Sequence, residues 1–152
     1  HILRSESTGS IHIASSDPKQ SPLINFNVLS AQLDRDVTVE VARLARAIMQ
    51  APPLRGIVQE ELSPGVDISS DQEVLNWVKE TGGTTYHPVG TCKMGNDPMA
   101  VVDNELRVHG VKGLRVADAS IMPTLTSGNT NAPSIMIGEK ASKMILSEAA
   151  EN

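Results

Sequence analysis

Residues 116–134 read VADASIMPTLTSGNTNAPS. Val116 and the apolar residues just before it form a β-rich run that ends in Asp118. Small and polar residues follow, and Pro133 suits the first turn of a helix, where its missing N–H would be unpaired anyway. Two readings of this strand, loop and helix are open. A strand, an acidic residue, backbone amides and the positive end of a helix dipole are the parts from which nucleotide sites are built. An Asx-turn at Asp118 and an ordinary N-cap at Asn129 or Asn131 would give the same pattern with no ligand.

Downstream, Ile137, Ala141, Met144 and Ile145 recur at three- and four-residue spacing, the apolar stripe of a helix with Asn or Thr as its cap. Upstream, residues 96–118 alternate turns with short β-rich pieces at 101–102 and 114–117. Before them stands TTYHPVGTCKMG, residues 84–95, which gathers His87, Pro88, Gly90, Gly95 and the chain's single cysteine, Cys92. Pro88 crowds the residue before it and biases His87 toward an extended backbone. Gly90 and Gly95 let the backbone pass close to something large, and a neutral imidazole there is a reasonable proton acceptor near neutral pH. A histidine beside a proline is also a common structural arrangement, so the motif alone decides nothing.

The first half of the chain reads as helices joined by punctuated loops. Ile11 and Ile13 alternate against Ser10 and His12 as in a strand, SSDPKQSP is a turn-rich loop, and LINFNVLS is a second extended segment. The absence of an initiator Met and the strand-like opening suggest the middle of a larger protein. From Asp34, the residues Val37, Val41, Leu44 and Ile48 share one helix face, and Pro52 with Pro53 brings that helix to a stop. An irregular connection is expected over 51–69. SDQEVLNWVKETGG, residues 70–83, then offers Ser70 and Glu73 as a capping box, Val74, Leu75 and Val78 as a buried stripe, and Gly82 with Gly83 as the stop. Helices and short strands without a βαβ rhythm predict an α+β fold.

Composition narrows the function. The 152 residues are 39% hydrophobic and 20% charged, enough for one compact domain with a core. A net charge of −5 with no basic stripe argues against nucleic acid or an anionic membrane as partner. No apolar run approaches the roughly 20 residues of a membrane span, and no signal peptide is visible. Cys92 reads as a small buried thiol and His109 as a turn or surface residue. No metal is expected, because His87, Cys92, Asp103 and His109 match no common zinc spacing.

Taken together, YHPVGTCKMG and residues 101–145 resemble the C-terminal signature of the glucose-methanol-choline (GMC) oxidoreductase family, in its choline and alcohol dehydrogenase-like branch. STGSIHIASSDPKQSPLINFNVLS and LSPGVDISSDQEVLNWVKETGGTTYHPVGT fit as well, so the resemblance runs through nearly the whole chain. It implies the C-terminal part of an FAD-linked reductase fold over residues 1–152. An antiparallel sheet with flanking helices forms the substrate-binding region, and a strand-loop-helix over about 114–148 returns to the FAD-binding domain. The N-terminal FAD-binding domain is expected to lie outside the chain, because no G-x-G-x-x-G fingerprint occurs in it.

The resemblance also implies roles. His87 matches the family's active-site histidine, and Asn129 falls where the family carries a second catalytic residue, a histidine or an asparagine. Asp118 and Ala119 match the segment at the FAD ribityl-pyrophosphate region, and Asn131 and Ala132 the backbone beside the flavin's pyrimidine edge. Tyr86 is set beside the pocket, with a packing role equally open. The implied reaction is oxidation of a choline-like or other primary alcohol by hydride transfer to FAD. A hydroxynitrile-lyase-like member of the same fold and a non-catalytic binding module are the alternatives. Further expectations are that the isolated fragment is inactive and does not retain FAD, that it self-associates through uncovered apolar surface, and that the location is cytoplasmic.

Overall fold

The computed structural model describes residues 2–151. Strands β1 (Ser10–His12) and β2 (Leu23–Asn25) form a two-stranded antiparallel sheet. Four α-helices follow among the described residues, α1 (Gln32–Met49), α2 (Pro52–Arg55), α3 (Asp71–Thr81) and α4 (Asn131–Glu151), together with a short 3-10 turn. The α+β expectation holds, although the sheet is small. None of these helices is long and apolar enough to cross a membrane. Contacts divide the chain into two compact units, one of residues up to Ser10 with Leu23–Thr84, the other of Ile11–Pro22 with the chain from Thr85 onward.

In the first unit, α1 buries a face other than the expected one. Val39 and Asp34 are buried, whereas Val41, Leu44 and Ile48 are exposed. The reason is where α3 docks: Asp71 and Leu75 of α3 line a cleft with Gln32, Asp36, Val39 and Arg43 of α1. Those α1 positions recur every three to four residues and so share a face. Arg43 also pairs with Asp71 across this contact. The N-cap of α1, Ala31, has no side chain to cap with, and Ser7 Oγ accepts its N–H at 3.1 Å instead.

Over 51–69 the chain is less irregular than expected. Pro52 and Pro53 do end α1, yet they also open α2, because proline's fixed φ and missing N–H cost nothing in a first turn. Arg46 forks onto Glu61, with Nη2 donating to Oε1 at 2.8 Å and Nε to Oε2 at 3.0 Å, and Nη2 also reaches the Gly65 carbonyl at 3.0 Å. α3 carries its capping box as read, with the Glu73 N–H donating to Ser70 Oγ at 3.3 Å and the Ser70 N–H to Glu73 Oε2 at 2.8 Å. Val74 is buried, with Leu75 and Val78 half-buried beside it.

The second unit holds the main apolar core: Val102, Leu106, Ile121, Met122, Ile137 and Ala141, joined by Met144. Ile145, expected on the same stripe, is exposed. The β-rich pieces at 101–102 and 114–117 do not become strands. They make isolated bridges, Met94 to Val102, Val102 to Val108 and Arg107 to Arg115. Turns break each ladder after one pair, and Gly110 and Gly113 take positive φ within them. Near the end of α4, Glu148 pairs with Arg115 and, at 3.6 Å, with Arg107.

Candidate active site

The two stretches singled out in the sequence are physically joined. After Pro88 the chain runs along a 3-10 turn, Ala119–Ile121: the Cys92 N–H donates to the Ser120 carbonyl at 2.9 Å and the Met94 N–H to Ile121 at 2.8 Å. Gly90 takes φ +86, and a Cβ there would stand 3.3 Å from the Met122 carbonyl. Glycine is therefore favoured by the conformation, and a side chain there would also press on the Met122 carbonyl. The residue before His87 is unexpected, since Tyr86 has φ +62 and is largely exposed. A left-handed tyrosine costs about 1–2 kcal/mol, and such residues concentrate at functional sites.

His87 is half-buried, and its Nδ1 lies 2.9 Å from Thr130 Oγ1, with the Thr130 N–H pointing at the same nitrogen from 3.5 Å. Thr130 is buried, at 7% exposure. Its carbonyl accepts the Ser134 N–H at 3.0 Å, the first helical bond of α4, and also the Ser134 Oγ–H at 2.6 Å. The cap position of α4 is therefore Thr130, within the Asn-or-Thr expectation for this helix but not the Asn129 or Asn131 of the ligand-free reading, because the cap is the residue whose carbonyl opens the helical ladder. Nothing in residue type distinguished Thr130 from Asn129 and Asn131. The usable signal was a hydroxyl residue at the helix start opposite a motif histidine.

The remaining predicted residues fall around this link. Asn129 and Asn131 flank Thr130 in the chain, and Asn129, Asn131 and Ala132 are exposed. The amides of Asn131 and Ala132 precede the first helical bond, and Pro133 has none, so this end of a 21-residue helix presents donors and a positive dipole. Such an end, with small exposed residues, suits a negatively charged group. Asp118 is exposed, and its Oδ1 accepts the Ser120 N–H at 2.7 Å, so the Asx-type capping reading describes what the carboxylate does here. Ala119 follows in the 3-10 turn, half-buried.

Other candidates stay apart from this arrangement. Cys92 is half-buried with a free thiol. His109 is exposed, its Nε2 3.1 Å from the Gly95 carbonyl. Asp103 accepts the N–H groups of Glu105 and Arg107, both at 2.9 Å. Burial would raise its carboxyl, but these bonds outweigh that and hold it below the ordinary value. No group of three or more His, Cys, Asp or Glu able to hold a metal occurs among the described residues.

Comparison with known proteins identifies the family. Residues 5–138 match the family described as GMC oxidoreductase. The chain is 48% identical over 143 residues to the oxygen-dependent choline dehydrogenase of Pseudomonas syringae pv. tomato, covering 94% of this chain and 25% of that protein. It thus spans about a quarter of the length of the curated relatives it matches. Among solved structures it is similar to pyridoxine 4-oxidase from Mesorbium loti, with a TM-score of 0.86 and 34% identity over 93% of this chain and 28% of that one. A formate oxidase variant from Aspergillus oryzae RIB40 superposes with a TM-score of 0.91 at 31% identity, covering 99% of this chain and 26% of that one.

Proposed function

The chain belongs to the GMC oxidoreductase family, and from that premise we propose that it is the C-terminal part of an FAD-dependent oxidoreductase that oxidises a choline-like or other primary alcohol. The observation that carries the proposal is the link between His87 and Thr130, which brings the HPVG motif to the start of α4. FAD, when bound, supplies the acceptor for the hydride leaving the alcohol carbon. The proton transfer and the positioning of the alcohol are the work of this chain's residues.

His87 takes the hydroxyl proton of the alcohol as the hydride departs. Asn129 hydrogen-bonds the alcohol oxygen and cannot titrate, which leaves proton transfer to His87. The amides of Asn131 and Ala132, at the positive end of α4, stabilise negative charge on the flavin's pyrimidine edge. Asp118 and Ala119 face the ribityl-pyrophosphate region, with the Asp118 carboxylate shaping the turn through Ser120. Residues 1–152 form the substrate-binding region, of which about 114–148 return to the FAD-binding domain. The glycine-rich pyrophosphate cradle comes from a part of the protein outside this chain, consistent with the chain's share of its relatives.

The test is anaerobic mixing of the whole flavoprotein with choline and a panel of primary alcohols, followed by flavin absorbance. At least one alcohol bleaches the wild type, and His87→Ala slows bleaching by about 10²- to 10⁴-fold with flavin still bound. A flavin that no alcohol bleaches, or an alanine variant as fast as wild type, overturns the assignment.

A further inference from the structure

Thr130 engages His87 at a single nitrogen, Nδ1, so the other nitrogen, Nε2, is left to meet the substrate. For Nε2 to accept a proton it must carry a lone pair. A neutral imidazole holds one hydrogen, which must then reside on Nδ1. The group next to Nδ1 that can accept that hydrogen is the Thr130 hydroxyl at 2.9 Å. The Thr130 carbonyl is committed to Ser134, and the Thr130 amide can only donate. We infer that Thr130 is the positioning residue of the site: its buried hydroxyl accepts the Nδ1 hydrogen of His87 and thereby selects the tautomer that can act as base.

The amide sharpens the argument. It points at Nδ1 from 3.5 Å, a long hydrogen bond, and as a donor it favours a lone pair on Nδ1. The hydroxyl can either donate to Nδ1 or accept from it, so of these two neighbours it is the one that lets a hydrogen reside on Nδ1, whereas the amide tolerates only a lone pair there. Remove the hydroxyl and the neighbour left at Nδ1 is a donor. The hydrogen then moves to Nε2, where it blocks proton acceptance. In the wild type the alcohol O–H breaks, its proton goes to Nε2, and the imidazolium so formed keeps its Nδ1 hydrogen on Thr130 Oγ1. The hydride leaves carbon for the flavin, as in the proposed function on which this inference rests.

The decisive experiment uses the whole flavoprotein labelled with ¹⁵N-histidine, the His87 signals being identified by their loss in His87→Gln. In the wild type, Nδ1 gives the protonated-type signal and Nε2 the lone-pair type. Thr130→Val keeps the shape but removes the hydroxyl; the two signals exchange types, and the limiting rate of flavin reduction falls about 10- to 100-fold with apparent alcohol affinity little changed. Thr130→Ser restores both the spectrum and the rate. A wild-type spectrum with the hydrogen on Nε2 overturns the inference even if the valine variant fails to fold. So does a valine variant with an unchanged spectrum, or a serine variant as slow as valine. If His87→Ala reduces flavin at the wild-type rate, the proposed role of His87 fails instead, while the spectra still decide which nitrogen Thr130 protonates.

Discussion

The Asp34 carboxylate accepts the Ser7 N–H at 2.8 Å, and with the Glu6 N–H at 2.9 Å and the Ser5 hydroxyl at 2.6 Å it fastens residues 5–7 to the first turn of α1. Burial alone would raise this carboxyl, but the hydrogen bonds from Ser5, Ser7 and Glu6 lower it from 3.8 to about 2. The folded carboxylate is thus harder to protonate than the unfolded one, which favours the folded state by about 2 kcal/mol above pH 4. That contribution fades as pH falls from about 4 toward 2. Asp34→Asn is expected to lower stability by about 2 kcal/mol at pH 7. Its deficit relative to wild type shrinks over the same acid range, as thermal melts at a series of pH values would show.

Glu61 offers a second, smaller lever. The Arg46 guanidinium, bonded to it and only partly exposed, holds its carboxyl below the usual range. Glu61→Gln keeps the shape but loses the charge-assisted fork, and is expected to lower stability modestly at neutral pH. The cost vanishes in acid, where the glutamate is itself protonated. Because Arg46 also holds the Gly65 carbonyl, limited proteolysis over 57–69 should quicken in the variant at pH 7; an unchanged rate counts against the fork as the fastener.

Gly90 is confined twice, by φ +86 and by the Met122 carbonyl. Gly90→Ala is expected to cost about 1–3 kcal/mol and to displace the backbone three residues beyond His87. Flavin reduction should then slow more than stability alone explains. The check is to compare rates and melting temperatures for Gly90→Ala and for a surface control such as Gly83→Ala, where an added Cβ meets nothing within 4 Å.

Asn129 has no titrating group. Asn129→Ala is expected to lower the rate of flavin reduction about 10-fold, as loss of one hydrogen bond to the reacting oxygen would. The shape of the pH profile should stay unchanged. A profile that moves would mean that Asn129 tunes the titrating base and does more than hold the alcohol oxygen.

How far the sequence could be read depended on whether the determining contacts were local. The α3 capping box was legible to the residue because Ser70 and Glu73 are three apart. The extent of α1 was legible too, but its buried face was not: periodicity marked Val41, Leu44 and Ile48, whereas α3 chose the side of Val39 and Asp36. The β-rich pieces at 101–102 and 114–117 were recognised as extended, yet nothing local revealed that each would pair only once. His87 stood out by its motif. Its partner lies 43 residues away and was hidden, because a threonine between two asparagines at a helix start already has a local explanation.

Thr130 serves α4 through its carbonyl and His87 through its hydroxyl, and these two duties fix where the helix may begin. Shifting the start of α4 by one residue would rotate whatever stands at the cap by about 100° around the helix axis. The hydroxyl would then swing away from the imidazole even though the helix itself survived. The four-residue step from Thr130 to Ser134 is therefore held from two directions, along the helix and across to the histidine, so the start of α4 and the bearing of His87 move together.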